Sequence, residues 1–370
     1  MNRTRLRIAF FGSSLVSSYW NGAATYYRGL LRALAARGHT ITFYEPDAYD
    51  RQKHRDIPDP PWARVVVYSG QDERAALAQV QAAAKTHDVL VKASGVGVYD
   101  ALLEQAVPAS VHGSQLAVFW DVDAPATLER VRSDAADPFR SRIGKYHVIF
   151  TYGGGQPVVS AYQALGARLC VPIYNALDPE THHPVQPVAR YDADLSLLAN
   201  RLPDREARVR EFFFEPARRL PRRRFVLGGS GWTDPLDMPN VDVLGHVPTA
   251  LHNTFNCSAL AVLNVARDSM AAVGFSPATR VFEAAGAGAC IITDAWRGIE
   301  EFLEPDREIL VAEDGVAVAA HLEGLTKERA REIGEAARRR VLARHTYGIR
   351  ALEVEAVLTR GDDVRTEARA

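Results

Sequence analysis

The chain has little cysteine, no long apolar run and almost no net charge, and each shortage removes a class of protein. Cys170, Cys257 and Cys290 are the three cysteines, far apart and without metal-like or redox spacing. They fit buried free thiols in a reducing, cytoplasmic compartment. No apolar stretch approaches the roughly 20 residues a membrane-spanning helix needs. The start, MNRTRLRIAFFG, is basic and then apolar, but the apolar run stops at Gly12. With no cleavage region following, a first β-strand is expected rather than a signal peptide. Lys and Arg number 44 against 45 Asp and Glu, a formal net charge of −1, so no whole-molecule field favours nucleic acid or an anionic membrane. A G-x-G-x-x-G fingerprint is also missing after the first strand, where only Gly12 and Gly22 occur. That weakens a dinucleotide-dehydrogenase reading.

What remains is an α/β pattern. At 370 residues and 47% hydrophobic content, the chain suits two domains of about 150 to 200 residues. Short runs rich in Val, Ile and aromatics read as strands at 6–11, 41–44, 64–68, 89–91, 116–120 and 148–151. Amphipathic helices are expected between them at 23–37, 73–85, 99–105, 126–133 and 156–165. Strands apolar on both faces, alternating with helices, predict a parallel sheet covered on both sides. A second series of strands is expected at 195–198, 225–227, 241–244, 259–263, 290–293 and 309–311. The Pro-rich segment VPIYNALDPETHHPVQPVARYD interrupts both patterns and reads as a linker. The expected organisation is a Rossmann-like domain at 1–172, a linker at 173–192, a second Rossmann-like domain at 193–345, and a helix and polar, frayed tail at 346–370.

Two stretches concentrate chemistry-bearing residues. In VGFSPATRVFEAAGAGACIITD a Gly/Ser/Pro loop leads into a short helix, with Pro277 early in it, Val281, Phe282, Ala285 and Ala289 on its apolar face, and Gly286 and Gly288 ending it. A helix N-terminus offers unsatisfied N–H donors and partial positive charge. Ser276, Pro277, Ala278 and Thr279 would therefore meet a phosphate there, with Arg280 as a bidentate partner. Glu283, one turn further, can accept two hydroxyl hydrogen bonds from a ribose; the alternative is a solvated carboxylate that complements the helix dipole. The second stretch is FWDVDAPAT, where Asp121 and Asp123 fall at the end of an apolar strand, the position at which α/β domains bind ligands. Asp123 reads equally as the N-cap of the helix that starts near Pro125.

The succession SPATRVFEAAGAGACIITD, GIEEFLEP and EILVAED resembles the donor-site motif of GT-B glycosyltransferases, especially the spore-maturation-type (CgeB-like) group, itself related to retaining group 1 enzymes. The resemblance is best between about Asp192 and Arg350. It implies two doubly wound domains facing across a cleft, a C-terminal helix returning to the first, and transfer of a sugar from a nucleotide-diphospho-sugar to a hydroxyl-bearing acceptor, with retention and without metal or other cofactor. Better-known relatives carry two glutamates with seven residues between them; here the second is Glu283 and the first position is Phe275. The resemblance also implies donor-nucleotide contacts for Arg201, His246 and Val247, and acceptor or sugar contacts for Ser18, Tyr19, Asn21, Gly22 and Arg267. Asp121 or Asp123 would stand where relatives keep a histidine near the reacting carbon, as catalytic residues rather than a metal-holding Asp-x-Asp pair. His246 reads equally as a structural histidine, and Arg205 as a solvated helix residue. Two other functions share these features: a nucleotide-sugar epimerase of the same fold, and a non-catalytic nucleotide-binding protein.

Overall fold

The computed structural model describes residues 5–19 and 21–359. In chain order the elements are β1 (Arg7–Phe11), α1 (Ala24–Ala36), β2 (Thr40–Asp47), β3 (Ala63–Ser69), α2 (Glu73–Thr86), β4 (Val89–Ala93), α3 (Asp100–Ser110), β5 (Leu116–Asp121), α4 (Ala124–Ser133), β6 (Val148–Thr151), α5 (Gly155–Ala164) and β7 (Cys170–Pro172). There follow β8 (Ala193–Leu198), α6 (Pro203–Val209), α7 (Glu215–Arg219), β9 (Phe225–Gly228), β10 (Val241–Gly245), α8 (His252–Ser258), β11 (Ala259–Asn264), α9 (Asp268–Val273) and α10 (Thr279–Gly286). The last are β12 (Ile291–Asp294), β13 (Leu310–Ala312), α11 (Gly315–Gly324), α12 (Lys327–Arg344) and α13 (Tyr347–Thr359). They form two compact units, one reaching Tyr174 and resuming at Tyr347, the other Asn175–Thr346.

The first unit holds a seven-stranded parallel sheet in the order β3-β2-β1-β4-β5-β6-β7. Every residue of β4, β5 and β6 is buried, as expected for strands covered on both faces. Strand β7 is absent from the sequence reading because three residues ending in proline carry no periodicity. Helix α3 runs past the expected end at Gln105 through Pro108. The proline cannot donate to the carbonyl of Glu104 four residues back, and the Tyr146 hydroxyl donates to that oxygen instead, at 2.9 Å. Helix α13 packs on α1, where a Cβ on Gly29 would fall 2.2 Å from the Tyr347 ring, and Arg37 pairs with Glu355. The tail from Gly361 lies outside the described residues.

The second unit holds a six-stranded parallel sheet in the order β10-β9-β8-β11-β12-β13. Chain direction across the sheet reverses between β8 and β11, so the loops leaving those two strands diverge and open a crevice at their carboxyl ends. Helices α6 and α10 flank that crevice. The 175–192 segment, expected to be a linker, is part of this unit: Asn175, Leu177 and His182 in it are buried. Helix α10 starts two residues later than expected, with Ala278 at the N-cap and Pro277 outside, and it stops where Gly288 takes a left-handed φ of 78°. Among the described residues no helix is long and apolar enough to cross a membrane.

Candidate functional site

The loop before α10 is held from two sides. Gly274 and Phe275 both take positive φ, 76° and 49°, and the Phe275 N–H donates to the Arg297 carbonyl at 2.7 Å. A Cβ on Gly298 would fall 2.1 Å from the Phe275 ring, and the Arg297 guanidinium lies 5.3 Å from that ring's centre. Phe275 thus occupies its position as a packing residue with a strained backbone. On the other side, buried Asn175 donates to the Pro277 carbonyl at 3.2 Å and accepts from the Thr279 hydroxyl at 3.0 Å. The Ser276 hydroxyl turns back to the Gly274 carbonyl at 2.9 Å. Ala278, at the N-cap, has no side-chain oxygen to offer the first turn, so a ligand acceptor can take that role.

Two side chains of α10 carry charge into this place. Arg280 is partly buried and makes no hydrogen bond or ion pair with the described residues. Burial, then the nearby charge of Arg205, lower its pKa to about 10. Arg205 donates to the Asn200 carbonyl at 2.6 Å, while its buried Nε has no partner. Burial also lowers its pKa, and Arg267 adds repulsion. Arg267 itself donates to Asp204 at 2.5 Å. Cations held at their own expense, at the start of a helix, are the electrostatic form of an anion site. One turn along, the Glu283 carboxylate makes no hydrogen bond with the described residues; the His182 imidazole is near it, with Nε2 3.7 Å from a carboxylate oxygen. His252 is close by: burial lowers its pKa, while Glu283 raises it and His182 and Arg280 lower it further.

The structure redirects several expectations. Asp121 is fully buried and accepts from Ser94 (2.8 Å), Thr127 (3.0 Å), the Asp123 N–H (3.1 Å) and Tyr162 (2.5 Å). Burial raises its pKa against these donors. A carboxylate enclosed by four donors and closed to solvent does not face a sugar; Asp121 instead ties the ends of β4 and β5 to α4 and α5. Asp123 occupies the N-cap position of α4 without accepting a capping hydrogen bond. Arg201 is neutralised by Glu206 and Asp234, both at 2.8 Å, which argues against the diphosphate role expected of it. His246 is exposed, and Val247 is buried with its carbonyl 3.3 Å from His252 Nε2.

In the first unit the loop after β1 is a hydrogen-bonded knot. Asn21 accepts from Ser13 and donates to the carbonyls of Ser14 and Ser17, so it staples the loop. Ser18 bonds Asp56 through both its N–H and its hydroxyl. Tyr19 is 41% exposed and stacks on His54 at 4.0 Å, and a Cβ on Gly22 would meet open space. Ser18, Tyr19 and Gly22 keep accessible surface; Asn21 does not. Arg205 was read from sequence as a solvated helix residue, because it resembled any helical arginine; His182 and His252 escaped the sequence reading, lying 70 residues apart.

Two parallel α/β units, the second with a crevice at its β8–β11 switch, have the GT-B fold. Residues 205–356 match the family model described as glycosyl transferase-like. Solved structures agree on the fold. Sucrose-phosphate synthase from Thermosynechococcus elongatus is similar at 13% identity and a TM-score of 0.69, over 96% of this chain and 98% of that one. HepE of Anabaena, in complex with UDP and glucose, is similar at 13% identity and 0.69, over 96% and 100%. An alpha-glucosyltransferase in complex with UDP-glucose and DNA containing an abasic site is similar at 11% and 0.68, again over 96% and 100%. No curated protein matches the chain by sequence.

Proposed function

We propose that this protein transfers a sugar from a nucleotide-diphospho-sugar to a hydroxyl-bearing acceptor in the cytoplasm, as a member of the CgeB-like group of GT-B enzymes. One observation carries the reading: helix α10 presents a partly buried guanidinium at Arg280 and, a turn later, a carboxylate at Glu283, neither hydrogen-bonded among the described residues. That pair has the charge order of a nucleoside diphosphate, anion first and diol second. Arg280, Arg205 and the N–H groups of the α10 start would neutralise the diphosphate as it departs, and Glu283 would hold the ribose hydroxyls. UDP is the first nucleotide to test, because HepE and the alpha-glucosyltransferase are described with UDP or UDP-glucose. In place of Arg201, the reading uses Arg205.

With positive side chains and a helix terminus available, the leaving group needs no metal, and retention of configuration is part of the proposal through the resemblance alone. Of the two aspartates after β5, the reading keeps Asp123 as the catalytic candidate, since Asp121 is sealed. The test is calorimetric titration of UDP, GDP, dTDP and CMP into the protein and its Glu283→Gln variant. The preferred nucleotide should bind the variant at least tenfold more weakly, two charge-assisted bonds contributing about 1.5 to 3 kcal/mol each. Unchanged affinity removes Glu283 from the site. Turnover that persists in a chelator is the companion expectation.

A further inference from the structure

The 178–183 segment places a second kind of ligand set on Glu283. A ring nitrogen of His182, one of His252 and a carboxylate oxygen of Glu283 lie within 4.8 Å of one another. Their surroundings decide how each nitrogen presents itself. The Thr181 hydroxyl donates to the Asp178 carbonyl at 3.2 Å and stands 2.9 Å from His182 Nδ1, so Nδ1–H donates to it. His182 Nε2 is then the lone-pair nitrogen, and it is this atom that faces Glu283 Oε1 at 3.7 Å. Two acceptors turned toward each other leave room for an electrophile between them. His252 donates its Nε2–H to the Val247 carbonyl, which likewise fixes its tautomer. An imidazole oriented by an oxygen on its far nitrogen is the usual outer arrangement of a metal-bound histidine.

The frame around these groups is stiff. Asn253 of α8 donates to the Thr181 carbonyl at 2.9 Å and accepts from the His183 N–H at 3.3 Å, bracketing His182 on both sides. Against α10 the same segment lies so close that a Cβ on Gly286 would fall 3.0 Å from the His182 carbonyl oxygen. His182 is therefore held to both helices that carry its partners.

We propose that His182, His252 and Glu283 form a site for a divalent transition-metal ion of the zinc type. Two imidazoles and one carboxylate suit that ion, with the fourth position left to water. Ligand atoms around tetrahedral zinc sit roughly 3.3 Å apart, so the set needs only side-chain adjustment to close. Arg280 repels the ion and limits its affinity. Because the ion takes the carboxylate assigned above to the ribose, metal and nucleotide exclude one another; this consequence rests on the donor-site reading, and the metal site does not.

The test uses tag-free full-length protein titrated with cobalt(II) chloride, followed by the visible absorption of low-coordinate cobalt and by displacement with zinc chloride. One equivalent should bind, His182→Gln and His252→Gln should abolish the absorption, and Glu283→Gln should weaken it. Thr181→Val, which leaves every ligand in place, should cost about 10- to 100-fold in affinity, and it protects the test should a histidine variant misfold. No cobalt absorption, or absorption unchanged in Thr181→Val and Glu283→Gln, overturns the site. Adding saturating UDP should bleach the cobalt spectrum. A spectrum untouched by bound UDP overturns the competition and Glu283 as ribose carboxylate, while the metal site stands.

Discussion

Lys92 in the first unit and Arg280 in the second are cations taken out of water on sheets of the same build, and their surroundings are opposite. Lys92 is fully buried, and its ammonium lies 2.6 Å from Asp100 and 3.5 Å from Glu104. Asp100 also accepts from the N–H groups of Val96 and Gly97, and Arg130 donates to Glu104. Arg280 has no such partner among the described residues, and the charges that act on it are Arg205, which repels it, and Glu283. A buried charge that is answered within the protein belongs to the architecture. One that is left unanswered costs stability and is kept for something that arrives from outside.

The largest effect should come from breaking the answered charge. Lys92→Met leaves Asp100 and Glu104 without their central cation and should cost about 3 to 5 kcal/mol, read as a lower urea midpoint. Since Lys92 and its partners belong to the first unit and the donor-site residues Arg205, Arg280 and Glu283 to the second, nucleotide affinity of the folded variant should hold. A loss under about 1 kcal/mol would mean that Arg130 alone satisfies the acids, and the contrast between the units would fail.

Arg280→Met should do the reverse. Removing an unanswered charge should raise the thermal midpoint by a few degrees, on the order of 1 kcal/mol, while nucleoside diphosphate binding falls about 10- to 100-fold. The pH dependence has a defined sign. Bound diphosphate favours the charged guanidinium, whose pKa in the free protein is about 10, so affinity should fall as pH rises through that value and the variant should lose this dependence. Stability lost together with binding would place Arg280 in the architecture beside Lys92.

The same contrast explains what the sequence made legible. The sheets were readable because their strands are short apolar runs, and β7 was not, because Cys170–Pro172 is too short to show a pattern. Arg280 and Glu283 were readable because both sit on one helix turn, so spacing alone brings them together. Asp121 was found at its strand end, but its fate depends on Ser94, Thr127 and Tyr162, which come from three other places in the chain. His182 was hidden for the opposite reason: a proline-rich composition looked like a linker, and only Asn253 and Gly286, distant in sequence, show that the segment is packed. Local spacing reveals which groups can meet a ligand. Whether a charge is already answered depends on partners that spacing does not predict.

Arg201 is the smallest and sharpest trial of that distinction. By position it is the arginine that follows β8, and by resemblance it is the one expected to hold the diphosphate. In the structure Glu206 takes two of its guanidinium nitrogens and Asp234 a third, at 2.8 Å each, and these carboxylates hold its pKa above the usual value. A guanidinium engaged in this way brings little net charge to a phosphate and would have to surrender a carboxylate to bind one. Arg201→Ala should therefore change nucleotide affinity less than threefold by calorimetry, whereas Arg205→Ala, which removes a cation facing Arg280, should cost tenfold or more. The opposite ranking would mean that a ligand can displace Glu206 or Asp234, and that a charge answered in this structure can still be recruited.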